Sequence, residues 1–188
     1  MKKYIITATA VSALVFGVTL FAGDDERYES QSYTKVQTGS KTRAFTQLES
    51  IYKRECSSCH MAYQPKLLPK RSWTKMMNTL ENHFNVDATL DPQEQRAIAI
   101  YLTSNAGDVK QSSKHFSRMS GSVADNKTPL RITQTPYFIK EHRKIPQRFI
   151  KQKEVKSFAN CNACHTTAEK GIYSERAIKI PNYGRWKD

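Results

Sequence analysis

The chain holds four cysteines, and all of them fall in two matching frames: Cys56 and Cys59 in "CSSCH", Cys161 and Cys164 in "CNACH". Each frame ends on a histidine, His60 or His165. Two thiols spaced by two residues on a helical turn reach one edge of a haem and add across its two vinyl groups as thioethers. The histidine that follows is carried under the iron as an axial ligand. The pattern predicts two covalently attached haem c groups, with the four cysteines as attachment points and His60 and His165 as proximal ligands. A tetrathiolate zinc site and a disulfide or dithiol redox pair are the weaker competing readings. The zinc site leaves both histidines without a role and belongs more often to reducing compartments. A thioredoxin-like pair wants a βαβ pattern that the sequence does not show.

Two haems also address a problem of size. A chain of 188 residues with 38% apolar residues makes one domain or two small ones, each with a modest aliphatic core. A macrocycle in each half gives Trp73, Phe84 and Tyr101 on one side, and Tyr137, Phe138, Phe158 and Trp186 on the other, something large and apolar to pack around. Without haem the chain is not expected to fold properly.

Lys2 and Lys3 precede an uncharged run from Tyr4 to Ala22, the pattern of an export signal. Residues 1–22 are expected to be a signal peptide, or else an N-terminal anchor. Leu20 is large for its place before a cleavage point, and the run is nearly long enough to span a bilayer. The rest of the chain is expected in the periplasm. Gly23 to Arg43 is polar and charged, and reads as a tether.

The net charge of +13 is unevenly spread. From Gly23 to Gly107 there are 11 basic and 10 acidic residues, against 17 and 7 from Asp108 to Asp188. The basic half is either a solvated surface or a face for an acidic partner, and the run Lys140, Arg143, Lys144, Arg148, Lys151, Lys153, Lys156 is its densest part. An exported chain with no nucleic-acid-binding module is not expected to bind nucleic acid.

The periodicity is helical throughout. Phe45, Leu48, Ile51 and Tyr52 mark a helix running into the first motif. A second helix is expected from Ser72 as N-cap, with Trp73, Met76, Met77, Leu80, His83 and Phe84 on one broad face. A third starts at Asp91 and Pro92, with Glu94 completing a capping box and Gly107 ending it. Asp108 to Thr128 is rich in Ser, Lys, Asn and Asp and reads as a linker or long surface loop. Beyond it, a short helix is expected from Pro136, and "KEVKSFAN" should lead helically into "CNACH". The fold class is therefore mainly α: an N-terminal haem domain at 44–107, a linker at 108–130 and a smaller, less regular haem domain at 131–188.

The runs "CSSCHMAYQPKLLPKRSWTKMMNTLENHF", "LDPQEQRAIAIYLTSNAG", "ITQTPYFIKEH" and "VKSFANCNACHTTAEKGIYSERAIKIPNYGRW" resemble the bacterial dihaem cytochrome c family from about Ala44 to Trp186. The resemblance implies a periplasmic electron carrier with two low-spin haems, whose N-terminal half is like a class I cytochrome c. It also implies redox partners: a small oxygen-binding cytochrome c and a b-type transmembrane cytochrome.

Three histidines remain for the distal positions: His83, His115 and His142. His83 sits on the apolar face of the expected second helix and His142 in "YFIKEHRKIP" after aromatic residues, so these are the expected distal ligands, His83 opposite His60 and His142 opposite His165. The reverse pairing stays open. Met76 and Met77 are rivals for the first iron, read first as core filler. His115, among Ser and Lys, is expected to be no ligand. Histidine on both faces should give lower potentials than histidine with methionine. Arg71, Arg131, Lys156 and Arg185 are candidate partners for the propionates, with an ordinary exposed cation as the alternative for each. The leading function is electron transfer, with no catalytic residue. A haem enzyme or gas sensor with one open iron is the alternative.

Overall fold

The computed structural model describes residues 43–109 and 114–186, which are mainly helical. The expected signal peptide and nearly all of the tether, up to residue 42, lie outside the described residues. The described residues belong to one compact unit.

Helix α1 (43–56) ends at the first motif, as its apolar spacing requires. Its Tyr52 is buried against Tyr101, with ring centroids 5.3 Å apart, and its hydroxyl donates to the Tyr63 carbonyl at 2.6 Å. Helix α2 (Lys70–Met77) and helix α3 (Pro92–Ser104) pack on each other. Leu68, Trp73, Met77, Ile98, Leu102 and Ala106 form the centre of this core. Trp73 is only 3% exposed, and its indole N–H is satisfied by the Pro65 carbonyl at 2.6 Å. At the start of α3 the Asp91 carboxylate accepts from the backbone N–H of Gln93 and Glu94, with Pro92 in the first turn where its missing N–H does no harm.

The first half departs from the sequence expectations at four places. Helix α2 starts after Pro69, not at Ser72, which is buried inside it. It also ends at Met77, so His83 is not on a helical face: a 3-10 turn at Leu80–Asn82 comes between. Glu94 does not close a capping box but meets Arg54 of α1 at 2.5 Å. Gly107 does not cap α3, whose C-cap is Asn105. Glycine is needed there for close approach: a Cβ would sit 2.3 Å from the Lys66 carbonyl oxygen, while its own N–H donates to Leu68 at 3.0 Å.

The segment expected as a linker contains helix α4 (Lys114–Gly121), which packs against the 3-10 turn Pro65–Leu67 and against helix α5 (Pro136–His142). Its Ser- and Lys-rich composition hides an inward edge in which Ser120 and Val123 are buried. Arg71 holds the turn that follows, donating to the carbonyls of Val123, Ala124 and Lys127 at 3.1, 2.9 and 2.7 Å. Thr135 caps α5 by accepting from Phe138 N–H, and helix α6 (Gln147–Ile150) follows Pro146. "KEVKSFAN" is a series of turns rather than a helix, with Lys156 at φ 66° and Asn160 donating back to the carbonyls of Glu154 and Val155. The chain closes in a small antiparallel hairpin of β1 (Lys179–Ile180) and β2 (Gly184–Arg185).

Candidate functional site

Cys56 is the last residue of α1, and a turn carries Cys59 and His60 outward, so both are exposed. His60 Nδ1 lies 2.8 Å from the Met61 carbonyl oxygen. A carbonyl accepts only, so the proton is on Nδ1 and Nε2 keeps its lone pair for a metal. The ring stacks on Tyr63 with centroids 4.8 Å apart. His83 faces it, with ring centroids 6.2 Å apart and planes 24° apart.

A tight turn delivers His83. Its N–H donates to Val86 at 2.8 Å and its carbonyl accepts from Val86 at 3.2 Å, while Phe84 and Asn85 take φ of 56° and 74° between them. Asn at such a position is ordinary; Phe is not. Phe84 is held from both sides, by the His83 ring at 4.7 Å and by the Arg131 guanidinium 3.9 Å from its centroid. Burial, with His60 and Arg131 adding to it, lowers the His83 pKa and keeps the imidazole neutral.

The second motif opens on a 3-10 turn, Cys161–Ala163, and His165 is pinned by a bridge to Ile178 and by Lys179 N–H donating to the Cys164 carbonyl at 3.0 Å. His142, the last residue of α5, stacks on Phe138 at 3.8 Å with planes 10° apart, and Phe158 meets it edge-on at 5.9 Å. Its Nδ1 lies 2.9 Å from the Phe138 carbonyl oxygen, again leaving Nε2 free. The His142 and His165 ring centroids are 6.1 Å apart with planes at 63°. Burial, and then His142, pushes the His165 pKa down to about 4. Burial also lowers that of His142, so both rings favour the neutral form that a metal ligand requires.

These dimensions fit haem. Two imidazoles bound through nitrogen on opposite sides of one metal, at about 2 Å each, have ring centres about 6 Å apart. Beside the second motif a cavity is lined by Phe138, Ile150, Val155, Phe158, Ile180 and Trp186, with Cys161, Cys164, His142 and His165 at its walls, an apolar space next to the thiols. Burial raises the pKa of Cys56 and Cys161 to about 11. The four cysteines do not converge: among the described residues no group of three or more His, Cys, Asp or Glu side chains is placed to hold a metal ion.

The remaining sequence expectations sort as follows. Met77 is in the core and Met76 packs against it. His115 falls in α4, with its side chain outside the described residues. Arg71 is committed to three backbone carbonyls and Arg131 to Phe84, while Lys156 and Arg185 are exposed.

Sequence reasoning missed the bridge between the sites. Tyr63, stacked on His60, donates from its hydroxyl to the Ala159 carbonyl at 2.7 Å. Gln64 donates to the Ala168 carbonyl at 2.8 Å and accepts from the Tyr173 hydroxyl at 2.5 Å. The Tyr173 ring in turn lies edge-on to His165 at 5.4 Å. Contacts between residues so far apart in the chain leave no local pattern that could have signalled them.

Residues 52–173 match the family model for dihaem cytochrome c. Among solved structures, the chain is similar to a dihaem cytochrome c of Shewanella baltica OS155, at 38% identity and a TM-score of 0.62, over 74% of this chain and 98% of that one. It is also similar to a dihaem cytochrome c of Rhodobacter sphaeroides, at 40% identity and a TM-score of 0.60, over 66% of this chain and 95% of that one. Among curated proteins, none matches. With two CxxCH frames present for covalent attachment, the chain belongs to the dihaem cytochrome c family and its cofactors are two haem c groups.

Proposed function

We propose that the protein is a periplasmic electron carrier in which His60 with His83, and His165 with His142, bind the two irons from both faces. The observation that carries this is the pair of ring separations, 6.2 and 6.1 Å, each the span of two imidazoles across one metal. The haem supplies a one-electron ferric/ferrous couple when bound. The chain's own residues would turn the free nitrogen of each imidazole toward the iron and close both axial positions to outside ligands. Thioethers from Cys56 and Cys59, and from Cys161 and Cys164, would anchor the two groups. No helix among the described residues is long and apolar enough to cross a membrane.

The partners are other redox proteins; the family resemblance suggests a small oxygen-binding cytochrome c and a b-type transmembrane cytochrome. The run from Lys140 to Lys156 supports an acidic partner, because its seven cations are exposed while His142, Ile145, Ile150 and Val155 within it line the second cavity. Low-temperature EPR of the oxidised protein, with carbon monoxide added to the reduced protein, tests the ligand reading. Two low-spin signals and no carbon monoxide adduct are expected. A high-spin signal or ready carbon monoxide binding would instead favour an enzyme or gas sensor with an open iron.

A further inference from the structure

Among the described residues, three buried side-chain polar atoms have no hydrogen-bond partner: Ser72 Oγ, Asn162 Oδ1 and His165 Nδ1. The last two belong to one turn. Cys161–Ala163 is a 3-10 turn, and His165 N–H donates to the Cys161 carbonyl at 2.8 Å, so residues 162 and 165 lie about one turn apart. They are also complementary. An amide oxygen is an acceptor, and the Nδ1 of an imidazole that gives Nε2 to a metal is a donor.

The rest of the Asn162 side chain is already directed. Its Nδ2 donates to Glu169 Oε1 at 2.7 Å, which consumes one end of the amide and leaves Oδ1 as the free end. His60 has a different arrangement, since its Nδ1 is satisfied by the backbone carbonyl of the next residue, Met61. An imidazole bound to metal nearly always gives its other N–H to a carboxylate, carbonyl or water, which sets the ring orientation and raises the basicity of the ligand.

We propose that Asn162 is a positioning residue for the second haem: its amide oxygen accepts the Nδ1 proton of His165, and Glu169, holding the other end of the amide, orients and polarises it. The inference rests on the reading of His165 as an iron ligand. The bond is not formed in this structure; the terminal torsions of Asn and His are broad, so pairing calls on side-chain rotation. The consequence is electronic as well as structural. A more basic imidazole favours the ferric state, so this bond lowers the potential of the second haem and leaves the first alone.

The test is a potentiometric titration of the holoprotein, resolved for each haem by EPR, on the wild type, Asn162→Ala, Asn162→Asp and Glu169→Gln. Asn162→Ala should raise the midpoint potential of the second haem, Asn162→Asp should lower it, and Glu169→Gln should raise it less than Asn162→Ala. The first haem is the internal reference and should not move. Opposite shifts for Ala and Asp are not what a merely structural role would give. If the wild type shows histidine on both faces of the second iron and that potential stays put in Asn162→Asp and Glu169→Gln, the proposal is overturned while the ligand reading stands. If the wild-type second iron lacks His165, both fall together. Should Asn162→Ala fail to mature, the other two variants decide the matter.

Discussion

The two haem sites solve one chemical problem with different architectures. In the first, helix α1 ends on the motif and His83, the proposed distal ligand, follows His60 in the chain, carried on a turn beside a core cluster of Leu68, Trp73, Ile98 and Leu102. In the second, His142, the proposed distal ligand, comes first, from helix α5, and His165 is held by 3-10 turns and a short hairpin around a cavity. His60 is exposed, whereas His165 is half-buried with its Nδ1 fully enclosed. The difference teaches that apolar side chains close on one another beside the first motif, whereas beside the second they surround an apolar cavity of the kind a macrocycle fills.

Removal of attachment should bring out that contrast most strongly. Cys56→Ala with Cys59→Ala, and Cys161→Ala with Cys164→Ala, should each lower the intact mass by one haem. The second pair should also expose residues 131–186 to limited proteolysis, because that half loses the body its apolar residues pack on. Equal protease resistance in both double variants would sink the contrast. Next in size, His83→Ala and His142→Ala should each turn one iron high-spin and open it to carbon monoxide, leaving the other low-spin.

The ring planes sharpen the comparison without any mutation. At 24° the first pair of imidazoles is near parallel, while the second, at 63°, is nearer perpendicular. Parallel planes split the iron d orbitals more, so the oxidised protein should show two distinct low-spin signals, with the larger maximal g value from the second haem. A single signal would mean that the angles converge once both haems are seated.

Acid should then act on the second site in a defined direction. Burial, and then His142, lowers the His165 pKa from 6.5 to about 4, and iron bound to the ring would hold the proton off further, so below 6.5 the unfolded chain binds a proton that the folded one refuses. The stability this contributes is fully present above 6.5 and falls as the pH is lowered below it. Thermal melts of the second low-spin signal across this range check it, and stability that rose on acidification would contradict it. The smallest effect expected is from the bridge: Tyr173→Phe removes the hydrogen bond to Gln64 and should cost about 1 kcal/mol in denaturant melts.

Much of each site could be read locally. The CxxCH frames, the Asp91–Pro92 helix start and the helix start at Pro136 depend on residues within one turn of each other, and the structure keeps both helix starts. The readings that changed involved competition between local signals and distant partners. Ser72 looks like an N-cap, but Pro69 starts the helix and Trp73 then reaches Pro65. His83 looks like a helical residue, but Asn78 and Thr79 end the helix, and the Phe84–Asn85 turn, braced by Arg131, aims the ring. The loop expected at 108–130 gains a helix because α5 and the turn at Pro65 give it a surface to pack on.

Sequence alone set the chemistry: which thiols and imidazoles are available, and that they come as two frames in a helical chain. Spacing along a backbone is sufficient for that, because attachment and the proximal ligand sit within five residues. Which imidazole faces which, at what angle, and how Tyr63, Gln64 and Tyr173 tie one site to the other came from folding. Those relations are made between residues far apart in the chain, where positions are fixed by packing and by hydrogen bonds that no short pattern encodes.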